Sequence, residues 1–259
     1  MLVDSHCHLD RLDLAPYDHD FSKLVGEATA HGIGHMLCIS IDMESYPSMR
    51  ALVEGYDNIS VSVGVHPNER DNREPTVEEL IELAGDAKVV AVGETGLDYF
   101  RGEGDLSWQR ERFRRHIQAA KAVGKPLIIH TRDSREDTLD ILAEEGAAEV
   151  GGVLHCFTED WETAQRALDL NFYISFSGIL TFRNARTIQE AAKRVPEDRI
   201  LVETDSPYLT PMPYRGKPNY PFRVRQVAEF LAGLRETSLE AVAESTTRNF
   251  YSLFPIQRA

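Results

Sequence analysis

Histidines and carboxylates of the types that bind divalent metals occur near the ends of short apolar runs along the whole sequence. His6 and His8 are two residues apart, so in an extended chain both imidazoles face the same side. The further candidates are Glu94, His130, His155 and Asp205. Six ligands exceed the three or four that a single zinc ion takes from a protein, and a glutamate can bridge two cations. The sequence therefore predicts a centre for two divalent cations per chain, of Zn, Mn, Mg, Ni or Co.

The elements that would position these residues alternate between strand and helix along the chain. The predicted strands are Leu2–Ser5, His35–Ser40, Ile59–Val65, Val89–Gly93, Leu127–His130, Gly152–Leu154, Phe172–Phe176 and Ile200–Glu203. Eight strands with intervening helices in a chain of 259 residues predict an α/β fold, one (β/α)8 TIM barrel over residues 1–259. The candidate ligands would then gather at the carboxyl ends of the strands, where barrel active sites are built.

Three of the intervening helices have recognisable ends. Thr76 with Glu79, and Thr237 with Glu240, have the spacing of a capping box at the start of a helix. A third helix is expected to end at Gly124, just before a proline. These signals set the register of the helices between the strands.

Composition and charge limit the kinds of partner. The chain has 28 Lys and Arg against 42 Asp and Glu, a formal net charge of −14, which argues against electrostatic binding of a long duplex or a membrane surface. No stretch approaches the roughly 20 apolar residues needed to span a bilayer, and the first residues lack the pattern of a signal peptide. We expect a cytoplasmic protein without an obligate protein partner, in which Cys7, Cys38 and Cys156 are reduced thiols.

A resemblance to a known family rests on seven motifs, which occur in the order VDSHCHLD, GVHP, VGETGLDY, IIHTR, GVLHCF, ISFSG and LVETDSPYL. Over essentially the whole chain the sequence resembles the TatD family of metal-dependent deoxyribonucleases, in particular its YcfH-type branch. The resemblance implies an amidohydrolase-like metal-dependent hydrolase barrel, two divalent cations and phosphodiester hydrolysis. It also implies that the metal ligands are the same six residues. It also implies a 3′-end exonuclease, with DNA ends or single-stranded nucleic acid as substrate.

Three residues are expected to take part in the chemistry itself. Asp205 is the candidate general base, because a carboxylate beside a metal-activated water can take its proton. Glu94 is the candidate bridge between the two cations. His66, which follows the third predicted strand, suits a phosphate contact or a proton transfer, with packing beside Pro67 as the alternative. Glu203, two residues before Asp205, is expected to orient a metal ligand.

A further set of side chains is predicted to contact the substrate. An arginine after the fifth strand can present its guanidinium to a phosphate, although a salt bridge with Asp133 or Glu136 is the alternative. Aromatic rings next to predicted ligands could stack on an unpaired base or pack against the barrel. A basic loop near the last strand is expected to form a rim. The residues in question are Arg132, Phe157, Tyr99, Tyr208, Arg215 and Lys217. Cys7 and Cys156 neighbour ligands but should point away from the metals.

Two other functions are compatible with the same residues. One is a hydrolase of this barrel class acting on an amide, a lactone or an ester such as an aminoacyl-tRNA linkage. The other is a metal-loaded binding protein without turnover, which the ligand set and the candidate base disfavour. The leading prediction is a deoxyribonuclease.

Overall fold

Eight parallel strands form one sheet in the computed structural model, which describes residues 1–256. The strands are β1 (Leu2–Cys7), β2 (Ile33–Cys38), β3 (Ile59–Val63), β4 (Val89–Asp98), β5 (Leu127–Arg132), β6 (Gly152–Leu154), β7 (Phe172–Phe176) and β8 (Ile200–Val202). Their order in the sheet is their order in the sequence. This arrangement confirms the predicted TIM barrel. The predicted domain extended to residue 259, and its last three positions lie outside the described residues.

A helix follows each strand and packs outside the sheet. The helices of the described chain are α1 (Phe21–Ala30), α2 (Tyr46–Leu52), α3 (Val77–Ala84), α4 (Ser107–Val123), α5 (Arg135–Glu144), α6 (Trp161–Asp169), α7 (Arg186–Arg194), α8 (Val224–Leu234) and α9 (Leu239–Leu253). In α4, for example, Phe113, Ile117 and Ala120 are fully buried along one stripe. Among the described residues, no helix is long and apolar enough to cross a membrane.

The predicted helix ends are confirmed at two of three places. Thr76 accepts a hydrogen bond from the Glu79 amide at the start of α3, and Gly124 ends α4 in the left-handed conformation, with φ of 64°. The prediction for Thr237 is wrong by one residue. The Thr237 amide donates to Ala232 at the end of α8, so Ser238 caps α9 instead.

The interior of the barrel is filled with apolar side chains from β1, β2 and β4 to β8. Phe250 and Phe254, from the last turn of α9 and just beyond it, belong to the same buried cluster. Asn249 of α9 donates to the carbonyl of Ile200 at the start of β8, which places α9 beneath the amino-terminal end of the barrel. The amino-terminal end is therefore closed by packing, and the carboxyl end is left for the polar residues.

The seam between β8 and β1 is closed by the segments that carry candidate ligands. The Asp205 amide donates to the His6 carbonyl at 2.9 Å, and the His8 amide donates to the Ser206 carbonyl at 2.8 Å. Below them the buried Asp4 carboxylate accepts from the amide and the hydroxyl of Thr204, at 2.8 and 2.5 Å. These hydrogen bonds fix His6, His8 and Asp205 relative to one another.

Strands β4 and β5 are longer than predicted because they stay paired beyond the candidate ligands. Gly96 pairs with His130, and Asp98 pairs with Arg132. Gly96 has a φ of 130°, and a Cβ atom there would lie 2.0 Å from the His130 carbonyl oxygen. Only glycine allows this close approach, which holds Glu94 and His130 on adjacent strands.

Candidate metal centre

Glu94 lies in the middle of a group of imidazoles at the carboxyl end of the barrel. Its Oε1 atom is 2.7 Å from His155 Nε2, 3.1 Å from His130 Nδ1 and 3.4 Å from His66 Nε2. Its Oε2 atom is 3.4 Å from His6 Nε2. The two oxygens of this carboxylate thus face different histidines, which is the arrangement expected of a carboxylate that bridges two cations.

Asp205 faces the two histidines of the first strand. Its Oδ1 atom is 3.3 Å from His8 Nε2 and 3.6 Å from His6 Nε2. The ring centroids of His6 and His8 are 5.1 Å apart, as their spacing of two residues along an extended chain predicts. The structure therefore brings all six candidate ligands into one centre.

The second nitrogen of His155 is held by Glu203. Oε1 of Glu203 is 3.2 Å from His155 Nδ1 and accepts a hydrogen bond of 2.7 Å from the Cys156 amide. A proton on Nδ1 leaves the lone pair of Nε2 directed at Glu94. This is the arrangement in which metal-binding histidines usually occur, and it is the geometry that the predicted orienting role of Glu203 requires.

The second nitrogens of His130 and His8 also have acceptors. His130 Nε2 is 3.1 Å from Oδ2 of Asp98, and His8 Nδ1 is 3.3 Å from the Ile39 carbonyl oxygen. His130 therefore offers Nδ1 to the centre, whereas His8 offers Nε2. Asp98 was not among the predicted site residues. The signal for it was its place in the VGETGLDY motif, four residues after Glu94.

His66 differs from the six candidate ligands in its hydrogen bonding. Its Nδ1 atom accepts a hydrogen bond of 3.0 Å from the Asn68 amide, so the proton of the neutral ring is on Nε2. Nε2 faces Glu94 Oε1 and lies 3.3 Å from His130 Nδ1. His66 thus directs an N–H donor, rather than a lone pair, at the centre.

The pKa values of Glu94 and His155 are shifted in opposite directions. Burial by itself would raise the pKa of Glu94, but the neighbouring imidazoles, His155 first among them, hold it well below its ordinary value. Burial would likewise lower the pKa of His155, but Glu94 and Glu203 hold it well above its ordinary value. The carboxylates and the imidazoles of the centre therefore stabilise each other's charged forms.

The donor set fits divalent cations. Both ring nitrogens of His6 and Oε2 of Glu203 are buried without a hydrogen-bond partner, which is costly unless another group satisfies them. Within the described residues, three sets have ligand atoms that all lie within 4.8 Å of one another. They are His6, His155 and Glu203; His6, His8 and Asp205; and His66, Glu94 and His130. Mixed imidazole and carboxylate donors of this kind suit zinc and other first-row divalent metals.

The prediction that Phe157 stacks on substrate is wrong. Its side chain is only 1% exposed and belongs to the apolar core, where its ring meets that of Phe176. Cys156 has a left-handed backbone, with φ of 44°, so the alternation of side chains along an extended strand does not continue past His155. A buried ring cannot reach a nucleotide base.

Arg132 lies at the mouth of the barrel without the predicted alternative salt bridge. Its guanidinium is 3.9 Å from the centroid of Phe100, and no carboxylate of the described residues lies within 4.0 Å of it. Phe100 is 60% exposed. Tyr99 is half-buried, and its hydroxyl donates to Asp137 and accepts from Arg110. Phe100, which sequence reasoning missed, is therefore the exposed ring after β4.

Tyr208, Arg215 and Lys217 lie in the segment after β8. Tyr208 is 50% exposed, and its ring centroid is 5.8 Å from that of His8. Arg215 and Lys217 are exposed, with Arg215 stacked on Phe182 at 4.4 Å. Cys7 is buried and directed at the Leu37 carbonyl, and the Cys156 thiol lies 3.2 Å from the Ser177 hydroxyl, so both cysteines face protein. The cysteines of the described chain form no disulfide.

A (β/α)8 barrel with imidazole and carboxylate clusters at the carboxyl ends of its strands defines a class, the metal-dependent hydrolases of this fold. The family model described as TatD-related DNase matches residues 3–255. The chain belongs to this family, as its sequence motifs predicted.

Curated relatives match almost from end to end. The uncharacterized metal-dependent hydrolase YcfH of Escherichia coli K12 is 52% identical over 256 residues, which cover 98% of this chain and 96% of the relative. The uncharacterized metal-dependent hydrolase YabD of Bacillus subtilis 168 is 42% identical over 257 residues, 99% of this chain and all of the relative. The crystal structure of the TatD homologue YjjV of E. coli K12 superposes with a TM-score of 0.91 at 27% identity and covers 99% of this chain and 98% of that one.

Proposed function

We propose that this hydrolase is a deoxyribonuclease that uses two divalent cations to remove nucleotides from the 3′ ends of single-stranded DNA. The observation that carries the proposal is the position of Glu94, with its two oxygens facing His155, His130 and His6 beside Asp205. The family description as TatD-related DNase supports phosphodiesters as the substrate class.

The six candidate ligands would hold the cations, with Glu94 between them. When bound, the cations would activate a water molecule at neutral pH and offset the negative charge that develops on the phosphoryl oxygens. His155, His130 and His8 would bind through the nitrogens that their partners Glu203, Asp98 and the Ile39 carbonyl leave free.

Asp205 would act as the general base. Although burial opposes its ionisation, the neighbouring His8 and His6 hold the pKa of Asp205 below its ordinary value. The carboxylate is therefore ionised at neutral pH and can accept a proton from the attacking water. Its side chain remains 13% exposed, so water and substrate can reach it.

His66 would supply a hydrogen bond to the substrate. The Asn68 amide keeps the proton on Nε2, which points into the centre. Burial is the main influence on this ring and lowers the pKa of His66, so the ring is neutral near pH 7. A neutral donor here can bind a phosphoryl oxygen without adding charge that would repel the cations.

Arg132 and two exposed rings would bind the nucleotide around the scissile phosphate. The Arg132 guanidinium carbon lies 3.9 Å from the centroid of the Phe100 ring, and its N–H groups make no ion pair within the described residues, so they are free for phosphate oxygens. Phe100 and Tyr208 expose ring surface on opposite sides of the mouth, after β4 and β8. Because such rings stack on unpaired bases, they favour single strands over duplex DNA.

The proposal can be tested by stripping the protein with a chelator, reloading one metal at a time and offering a panel of substrates. We expect a single-stranded oligodeoxynucleotide labelled at its 5′ end to be shortened stepwise in a metal-dependent manner, as mononucleotides are released from its 3′ end. The panel also contains the matching oligoribonucleotide, an amide, a lactone and an aminoacyl ester. Turnover of one of these compounds with no release from DNA would assign the centre to another hydrolase reaction.

A further inference from the structure

The cations whose side chains contact neither a carboxylate nor another protein oxygen are gathered at one end of this acidic protein. Most Lys and Arg side chains contact a carboxylate or donate to another protein oxygen. The exceptions among the described residues are Arg70, Arg101, Arg132, Arg183, Arg186, Arg194, Arg215, Lys217 and Arg223. All of these except Arg194 lie at or after the carboxyl end of a strand. Unpaired positive charge therefore surrounds the mouth of the barrel.

Two segments next to the centre combine these cations with a complete lack of acidic residues. No Asp or Glu occurs between Asp169 and Glu190, or between Asp205 and Glu229. In a chain with a net charge of −14 such stretches are unusual, and among their described cations only Arg225, which pairs with Glu229, has an acidic partner. We call the exposed and unpaired cations of these segments the basic lobe, which consists of Arg183, Arg186, Arg215 and Lys217; Arg225 is also exposed but has this ion pair.

The fold packs the two segments together. The Met212 amide donates to the Thr181 hydroxyl at 2.8 Å, and the Arg215 guanidinium stacks 4.4 Å above the Phe182 ring. Stacking on a ring fixes the plane of a guanidinium and leaves its N–H edges free to bind phosphate. The two segments follow β7 and β8, so they flank Asp205 on one side of the mouth.

Apolar side chains are exposed in the same place. Tyr208 is 50% exposed and Met212 is 37% exposed, although both are large and apolar. Free cations beside exposed ring and thioether surface are the combination that binds single-stranded nucleic acid, whose phosphates and bases both lack partners.

We infer that the basic lobe binds the phosphates of a single strand beyond the one that is cleaved. The inference rests on the proposed function and adds to it the surface that binds the part of the strand outside the centre. The strand would leave the centre over the segments after β7 and β8. Because the basic lobe contains no metal ligand, this part of the binding should persist when metals are removed.

The test is fluorescence anisotropy with a labelled single-stranded dT12 in the presence of a chelator, so that no hydrolysis occurs. The lobe variant carries Arg183→Gln, Arg186→Gln, Arg215→Gln and Lys217→Gln. The control variant loses the same charge from the outer helices through Lys23→Gln, Arg166→Gln, Lys193→Gln and Arg248→Gln, whose side chains are exposed and already paired. Circular dichroism establishes that both variants are folded.

We expect the lobe variant to bind dT12 at least about tenfold more weakly than the control variant at 100 mM salt. The slope of log affinity against log salt should fall by about 3, because each neutralised phosphate of a single strand contributes about 0.7. Equal losses in the two variants, or wild-type affinity for dT12 no greater than for thymidine monophosphate, would overturn the inference.

The result is separable from the proposed function. Cleavage of DNA by the metal-loaded enzyme with no effect of the lobe variant on binding would reject the basic lobe alone. Binding that depends on the lobe, without cleavage by any metal-loaded form, would reject the nuclease and keep the binding surface.

Discussion

Asp98 Oδ2 lies 3.1 Å from Nε2 of His130, and the other nitrogen of that ring faces Glu94. The Asp98 carboxylate also accepts from the Asn68 side chain and the Arg101 amide, so its position is fixed from three directions. It thereby fixes the rotation of the His130 ring and keeps the Nδ1 lone pair directed at the centre. Asp98 is a positioning residue rather than a ligand.

Replacing Asp98 should weaken metal binding without removing a ligand. We expect Asp98→Ala to lower metal affinity by about 10–100-fold, with hydrolysis recovering at saturating metal. Asp98→Asn should be milder, because its amide oxygen can still accept the His130 proton. Competition with a chromogenic chelator measures the affinity, and the exposed Asp105→Ala is the control. Unchanged metal affinity in Asp98→Ala would show that His130 needs no partner.

The first-strand histidines are predicted to be required for full metal content. His6→Ala or His8→Ala should each lower the number of bound ions below that of the wild type, because both imidazoles face Asp205. Elemental analysis of the purified proteins measures the content, and His19→Ala, an exposed histidine, is the matched control. Undiminished metal in both variants would remove these histidines from the ligand set.

Arg132 is predicted to contribute to substrate binding more than to metal binding. We expect Arg132→Ala to raise KM for single-stranded DNA by about tenfold, which is the order of a hydrogen bond to a charged group, with metal content unchanged. Arg132→Lys should recover only part of the loss, since lysine lacks the stacked planar group. Arg135→Ala, which breaks exposed ion pairs nearby, provides the control. Wild-type kinetics in Arg132→Ala would contradict the role.

A buried histidine outside the centre should make the stability of the protein sensitive to acid. The Val65 amide donates to Nε2 of His116, and His116 Nδ1 is 2.8 Å from the Arg112 carbonyl, so the ring is held neutral. Burial lowers the pKa of His116 to about 4. At pH values between about 4 and the ordinary pKa near 6.5, His116 is protonated in the unfolded chain but not in the folded chain. The free energy of unfolding therefore falls as the pH falls through this range.

His116→Gln isolates this contribution. On going from pH 7 to pH 5, the metal-free wild type should lose about 2 kcal/mol more unfolding free energy than His116→Gln does. Urea denaturation at the two pH values measures the difference. Equal losses would mean that His116 is protonated in the folded protein.

The barrel and the ligand set could be predicted because both depend on local patterns. Apolar runs at regular intervals indicate strands, and the candidate ligands lie at or near the end of such runs, which the fold brings to one place. That His6 and His8 face the same side could be predicted from the alternation of side chains along an extended strand alone.

The errors came where backbone conformation departs from that alternation. Phe157 follows His155 by two residues, but the left-handed backbone of Cys156 turns its ring into the core. Asp98 was missed because β4 continues past Glu94, which depends on the close approach of Gly96 to His130. The basic lobe joins segments about 30 residues apart, and only the packing between them shows that their cations are neighbours.

The most direct test of the account is the rate at which chelated and metal-reloaded protein hydrolyses single-stranded DNA, measured for the wild type and for Asp205→Asn. We expect no hydrolysis by the chelated wild type and recovery of hydrolysis when the metal is restored. For metal-loaded Asp205→Asn with its fold intact we expect a rate at least about 100-fold lower than that of the wild type, since the general base is lost. Hydrolysis at the wild-type rate in the chelator, or by folded and metal-loaded Asp205→Asn, would contradict the account.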